Sequence, residues 1–135
     1  YTWGRAHTFS EEGRVLHADC TEPYDGALRD ALIAAAARAQ VAVMPNGIYA
    51  VMQGPRLETA AEIRKLRAEG CTMVGMTAMP EAALARELGL AYATLAVSVN
   101  WAAGLGPAGS DIHGDIAASL SAGMDKVRAV LQEVL

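Results

Sequence analysis

Three chain reversals in this sequence carry side chains that could recognise a polar heterocycle joined to a sugar. The first is a Gly-Pro turn that leads to the carboxylate of Glu58. The second carries the thioether of Met76 and the hydroxyl of Thr77, and the third carries the amide of Asn100. A purine ring attached to a ribose needs about this set of partners, because it combines a polar edge with an apolar sugar face and hydroxyls.

Glu58 lies where a predicted strand gives way to a predicted helix. In open α/β sheets, ligands bind beyond the carboxyl ends of the strands. An ionised carboxylate there accepts the N1–H of a 6-oxopurine such as hypoxanthine or guanine, whereas adenine presents an acceptor at N1 and leaves the carboxylate unpaired. The alternative is a carboxylate that only stabilises the positive end of the next helix.

Asn100 follows the most apolar run of the chain, residues 90–99, which we expect to form a buried strand. Its NH₂ group could donate to N7 of a purine, where negative charge develops as the glycosidic bond breaks, and so act in catalysis. The alternative is an asparagine that caps a strand end or a turn. Together, Glu58 and Asn100 favour a 6-oxopurine over a 6-aminopurine.

The elements that must position these residues alternate between helix and strand. A capping box of Thr59 and Glu62 starts one helix, and Pro80 starts another. The predicted helices span residues 26–40, 59–70, 80–89 and 112–135. The last of them is predicted to bury one apolar stripe, formed by Ile116, Leu120, Val127, Leu131 and Val134.

The predicted strands span residues 14–20, 41–44, 48–52, 73–75 and 90–99. Asn46-Gly47, between the second and third of them, is a strong hairpin signal. Strands that alternate with helices predict an α/β fold in a single domain.

The composition is that of a folded domain. Hydrophobic residues make up 53% of the chain and charged residues 19%, which argues against disorder. The net charge of −4 argues against nucleic acid as a partner, and no apolar run reaches the ~18 residues of a membrane span. Cys20 and Cys71 lack metal-type spacing, so we expect no metal site and two buried free thiols, as is typical of a reducing cytoplasm.

The order and spacing of the motifs resemble a known family. The motifs are residues 54–59 (GPRLET), residues 75–81 (GMTAMPE) and Asn100. They resemble the trimeric purine nucleoside phosphorylase and methylthioadenosine phosphorylase family. Residues 1–5 (YTWGR) and 79–88 (MPEAALAREL) look most like its bacterial methylthioinosine phosphorylase branch. The resemblance runs along the whole chain, but only to the C-terminal half of the family's domain.

This resemblance implies an activity and a fold. The activity is that of a pentosyltransferase in purine salvage: phosphorolysis of a 6-oxopurine nucleoside (inosine, guanosine or S-methyl-5′-thioinosine) to free base and ribose 1-phosphate. Inorganic phosphate is the co-substrate, and no metal or organic cofactor is expected. The fold is part of a three-layer phosphorylase/hydrolase-like fold with a mixed central sheet flanked by helices. A cytoplasmic homo-oligomer, a trimer or a multiple of it, is implied as well.

The resemblance also assigns further site residues. Met76 and Thr77 contact the ribose and the phosphate, and Tyr49 and Leu57 form pocket walls. His113 faces the 5′ position of the ribose, where phosphorylases of ordinary nucleosides carry His and methylthio-specific members carry an apolar residue. Without the resemblance, Met76, Tyr49 and Leu57 fit a core equally well, Thr77 could cap a helix, and His113 could be a surface residue.

The family's phosphate site lies mainly in its N-terminal half, in a Gly-rich loop and an Arg-His pair, and none of these motifs occurs here. We therefore expect residues 1–135 to be the C-terminal part of a single nucleoside phosphorylase domain within a longer polypeptide. The alternative is a non-catalytic nucleoside-binding or assembly module that lacks the phosphate-binding half.

Overall fold

The described part of the chain contains four helices and two short strands, joined by long irregular segments. The computed structural model describes residues 2–10, 14–107, 109 and 112–134, and the side chains of residues 112, 113 and 115 lie outside that description. In chain order the elements are α1 (Gly26–Arg38), β1 (Tyr49–Val51), α2 (Ala60–Ala68), β2 (Met73–Gly75), α3 (Ala78–Glu87) and α4 (Ile112–Val134). β1 and β2 pair in parallel, with Tyr49 opposite Met73. The predicted α/β class is confirmed.

The helices begin where the sequence supplies caps. Asp25 precedes α1, and its Oδ1 accepts the N–H of Leu28 at 2.7 Å. Thr59 and Glu62 form the predicted capping box at the start of α2, and an N-cap of this kind contributes about 1 kcal/mol. Gly70 follows α2 at φ +87°, a left-handed conformation that favours glycine. Because each cap acts within one helical turn, the sequence alone could predict it.

The predicted hairpin at Asn46-Gly47 is wrong. Residues 41–44 form no strand, and β1 pairs instead with β2, across the connection that contains α2. The reversal packs against Thr72, whose Oγ1 accepts the N–H of Ile48 at 2.9 Å and lies 2.6 Å from where a Cβ on Gly47 would stand. A parallel pair requires a long crossover connection, which a two-residue turn cannot supply.

Two other predicted strands, residues 14–20 and 90–99, are also not strands in the structure. Val15 is 73% exposed and Leu90 is 57% exposed, so neither segment is covered on both faces. A strand requires hydrogen bonds to a neighbouring strand, and the described residues provide no such neighbour for either segment. An apolar run was therefore not sufficient to predict a strand.

Among the described residues, two small clusters of buried side chains stand out, and Val51, Ala78, Ala82 and Ala85 are buried as well. The first joins α1 to α4 and consists of Ala35, Ala36 and Val130. The second joins β1 to α2 and consists of Ala50, Ile63 and Leu66. The second cluster is in contact with Met52, which directly follows β1 and begins the turn between β1 and α2.

The buried face of α4 differs from the predicted stripe. Val130, which the stripe did not include, is 1% exposed, whereas Leu120 and Leu131 are each 45% exposed. The buried face passes through Val130, which packs on α1, and through Gly123, where a Cβ would clash with Val97. Gly123 lets the helix approach its neighbour closely, and apolar periodicity does not reveal such a contact.

Over the described ranges, no helix has the combination of length and hydropathy that a membrane span requires. Within the same ranges, no three His, Cys, Asp or Glu side chains are grouped closely enough to hold a metal ion. Cys20 and Cys71 are free thiols, as predicted, but they are half-buried and not buried.

Candidate functional site

Two turns meet at the carboxyl ends of β1 and β2. We call residues 52–59 the carboxylate turn and residues 76–79 the thioether turn. Gly54 adopts φ +67°, a conformation that favours glycine, and a Cβ added to it would lie 2.5 Å from Sδ of Met76, so a larger residue would also require the Met76 side chain to shift. Ligands of α/β proteins bind at this end of a parallel sheet.

An ion pair fixes the carboxylate turn to the start of α2. Arg56 donates from Nη2 to Oε1 of Glu62 at 2.7 Å and from Nη1 to Oε2 at 2.9 Å. The N–H of Thr59 donates to the same Oε2 at 2.7 Å. Arg56 is therefore paired with Glu62, and Glu58, on the same turn, is half-buried. Leu57 is 46% exposed, so it is not a core residue.

The ion pair predicts an acid-dependent stability. Hydrogen bonds from Arg56 and then from the Thr59 backbone lower the pKa of Glu62 from 4.5 to about 2. A carboxylate with a lowered pKa in the folded state stabilises the fold above about pH 4.5, and this contribution disappears as the pH falls towards about 2. We therefore expect Glu62→Gln to lower the unfolding temperature at about pH 6, with the difference from wild type vanishing near about pH 2, as measured by thermal unfolding.

Glu69→Gln is the matched control for this prediction. Glu69 follows the same helix and lies 3.8 Å from Lys65 in a partly exposed pair, which is a weak type of ion pair. The unfolding temperature of the Glu69→Gln protein should therefore stay close to that of wild type across the pH range. A Glu62→Gln protein that lost stability in acid as steeply as wild type would contradict the assignment.

The thioether turn presents Met76 and Thr77. Met76 is half-buried, whereas Thr77 is exposed at the N-cap position of α3 and its side chain makes no capping hydrogen bond. The alternative prediction that Thr77 caps this helix is therefore wrong, and its hydroxyl is not committed to the helix that it precedes. Met79 has a non-helical backbone at φ −119° and ψ 134°, so the regular part of α3 begins at Pro80, as predicted.

Tyr49 covers the end of β2 beside this turn. Its side chain is half-buried, and a Cβ on Gly75 would clash with the Tyr49 hydroxyl and ring. The absence of a side chain at Gly75 therefore makes room for the ring. Because Met76 follows Gly75, Tyr49 lies next to the thioether turn.

Asn100 is half-buried and lines a cavity of about 370 Å³ together with Ser98, Val99, Trp101 and Ser119. Its Nδ2 donates to the carbonyl of Trp101 at 2.8 Å. A side-chain amide has two N–H donors, so this bond uses one of the two.

The segment that follows Asn100 packs on the start of α2. Ala102 and Ala103 contact the second core cluster, and a Cβ on Gly104 would lie 2.9 Å from the Cβ of Ala60. Ala60 is the first residue of α2 and comes two positions after Glu58. The segment that follows Asn100 therefore reaches the start of α2, which Glu58 precedes in the chain, but the cavity that Asn100 lines does not include Glu58.

His113 belongs to the first turn of α4 by its backbone, and its side chain lies outside the described part of the chain. Its assignment to the 5′ position of the ribose stays a prediction. The ligand contacts assigned to the other site residues stay predictions as well: Asn100, Glu58, Met76, Thr77, Leu57 and Tyr49.

Sequence reasoning assigned no role to Arg5, which the structure places between the two turns. Its guanidinium donates from Nη1 to the carbonyl of Met76 at 2.6 Å and from Nη2 to the carbonyl of Gln53 at 2.9 Å. Arg5 lies in an irregular segment, 71 positions before Met76, so no periodic pattern could have predicted the contact.

Comparisons with known proteins bear on this arrangement. The sequence profile of the Phosphorylase superfamily matches residues 1–135. The "Probable S-methyl-5′-thioinosine phosphorylase" of Xylella fastidiosa (strain 9a5c) is 52% identical over 123 residues, which are 90% of this chain and 52% of that protein. The "6-oxopurine nucleoside phosphorylase" of Pyrococcus furiosus is 47% identical over 112 residues, which are 78% of this chain and 42% of that protein.

A solved structure is similar over almost the whole chain. Methylthioadenosine phosphorylase from Schistosoma mansoni in complex with adenine matches with a TM-score of 0.89 and 28% identity, over 98% of this chain and 54% of that one. The chain thus spans about half the length of the proteins that it matches. The profile match along all residues and the shared fold confirm the resemblance seen in the motifs: the chain belongs to the phosphorylase superfamily.

Proposed function

We propose that this chain forms the nucleoside-binding part of a purine nucleoside phosphorylase. The reaction is the phosphorolysis of a 6-oxopurine nucleoside to free base and ribose 1-phosphate, a step of purine salvage. The observation that carries the proposal is the contact between the two turns, in which Gly54 lies against Met76 at the carboxyl ends of β1 and β2. Relatives named for methylthioinosine and 6-oxopurine nucleosides, at 47–52% identity, support it.

Glu58 and Asn100 hold the base. Arg56 is engaged by Glu62, so the Glu58 carboxylate can accept the N1–H of hypoxanthine or guanine. The Asn100 amide keeps one N–H on the carbonyl of Trp101 and donates the other to N7. This donor stabilises the negative charge that the purine gains as the glycosidic bond breaks. The transition state is oxocarbenium-like, and no covalent intermediate with the enzyme is needed.

The remaining site residues hold the sugar and the phosphate. Met76 packs on the ribose and Thr77 donates to the phosphate, while Tyr49 and Leu57 form the walls of the pocket. His113 donates to a 5′-hydroxyl. Phosphate is the co-substrate, and no metal or organic cofactor takes part. We further propose a cytoplasmic homo-oligomer, a trimer or a multiple of it.

The test is hypoxanthine release from inosine and from S-methyl-5′-thioinosine by the full-length protein, with and without phosphate. Phosphate-dependent release supports the proposal, and the ratio of the two rates gives the preferred 5′ substituent. Nucleoside binding without release under either condition would overturn it in favour of a non-catalytic nucleoside-binding or assembly module.

A further inference from the structure

Arg5 makes hydrogen bonds to four backbone carbonyls. Nη1 lies 2.6 Å from the oxygen of Met76 and 2.8 Å from that of Met79, and Nη2 lies 2.9 Å from the oxygen of Gln53 and 3.4 Å from that of Met52. Two of these carbonyls belong to the carboxylate turn and two to the thioether turn. The guanidinium is part-buried, so these bonds replace much of its hydration.

Both turns need such a link, because the sheet beneath them is short. β1 and β2 are paired over only three residues each, ending at Val51 and Gly75. Beyond that register, one backbone hydrogen bond continues the pairing, from the N–H of Met52 to the carbonyl of Gly75 at 2.7 Å, and the contact between Gly54 and Met76 is apolar and without direction. The planar guanidinium supplies donors in a fixed fork, so a single side chain sets the distance and the angle between the turns.

The segment that carries Arg5 is itself attached to the carboxylate turn. The N–H of Trp3 donates to Oε1 of Gln53 at 3.0 Å, and Gly4 adopts φ +66° between Trp3 and Arg5. This left-handed residue turns the chain so that Arg5 reaches inwards while the Trp3 side chain stays 75% exposed.

We infer that Arg5 is a positioning residue for nucleoside turnover: it holds the base-reading carboxylate turn and the sugar-reading thioether turn in one fixed relation. This inference rests on the proposed function. Binding of the free base needs Glu58 and Asn100 but not the thioether turn. Attack on the nucleoside needs both turns at once, and a misplacement of about 1 Å can cost about 100-fold in rate.

Arg5→Met and the milder Arg5→Lys in the full-length protein test this inference. We expect each to lower kcat/KM for inosine with phosphate by about 100-fold. The dissociation constant of hypoxanthine should change by less than about threefold, since the base contacts remain. Lysine keeps the charge but not the fork, so Arg5→Lys should recover little of the activity.

Arg38→Met is the matched control. Arg38 also binds a backbone carbonyl, donating from Nη2 to the oxygen of Glu133 at 2.6 Å, but it links α1 to α4 and not the two turns. The kcat/KM of the Arg38→Met protein should stay within about threefold of wild type, even if the substitution lowers the unfolding temperature. Equal loss of hypoxanthine binding and turnover in the Arg5 variants would overturn the inference, because Arg5 would then only support folding.

Hydrogen exchange separates this inference from the proposed function. In Arg5→Lys, amides of residues 53–59 and 76–79 should exchange faster than in wild type, whether or not the protein is an enzyme. An inactive wild type would refute the proposed function alone. Unchanged exchange in both turns would refute the positioning role, with or without activity.

Discussion

Asn100→Ala is expected to lower kcat/KM of the full-length protein for inosine by about 100- to 1000-fold. The reason is that the substitution removes a hydrogen-bond donor from the purine atom where negative charge develops in the transition state. The loss should fall mainly on kcat, because the purine gains its charge only as the glycosidic bond breaks. Steady-state kinetics with saturating phosphate measure it. The side chain is half-buried and bonded to the carbonyl of Trp101, so its donor is already oriented before substrate binds.

Asn46→Ala is the control for this experiment. Asn46 is the other asparagine of the chain and is exposed at the reversal before β1. Its replacement should leave kcat/KM within about threefold of wild type, as is usual for surface positions. A rise in KM with unchanged kcat in Asn100→Ala would contradict a role in leaving-group stabilisation. Asn100→Asp should in addition shift preference towards 6-aminopurine nucleosides.

The helices were predictable because their signals are local. The capping box of Thr59 and Glu62 acts across three residues, and the start of α3 depends on Pro80 itself. The sheet was not predictable in the same way. The partner of β1 is β2, which lies beyond α2, and the local Asn46-Gly47 signal competed with that distant pairing and was wrong.

The site shows the same division between local and distant information. The carboxylate and thioether turns could be found as motifs, because each has its glycine, proline and polar residues within a few positions. The link between the two turns could not be found as a motif. Arg5 donates to backbone carbonyls, and because every residue has a carbonyl, the sequence does not mark these partners. The buried face of α4 was missed for a related reason: half-buried Gly123 fits closely against Val97, and its own apolar surface is minimal.

The proposed specificity for a 6-oxopurine depends on which carboxylate is paired within the protein. The pKa of Arg56 is raised above its ordinary value, first by the hydrogen bond to Glu62 and only weakly by the charge of Glu58. Arg56 is therefore paired mainly with Glu62, and the Glu58 carboxylate can accept a hydrogen bond from a ligand. An acceptor at N1 of the base cannot satisfy the charge of that carboxylate, so the proposed site should reject adenosine.

Glu58→Gln should consequently reduce the ratio of kcat/KM for inosine to that for adenosine by about 100-fold or more. Glutamine can present its carbonyl to the N1–H of a 6-oxopurine or its NH₂ to N1 of adenine, so it loses both the charge assistance and the ability to discriminate. Phosphorolysis of the two nucleosides by one enzyme preparation measures the ratio. Glu22→Gln, which removes an exposed carboxylate before α1, should leave the ratio unchanged. Equal losses for both nucleosides in Glu58→Gln would mean that Glu58 supports the turn and does not read the base.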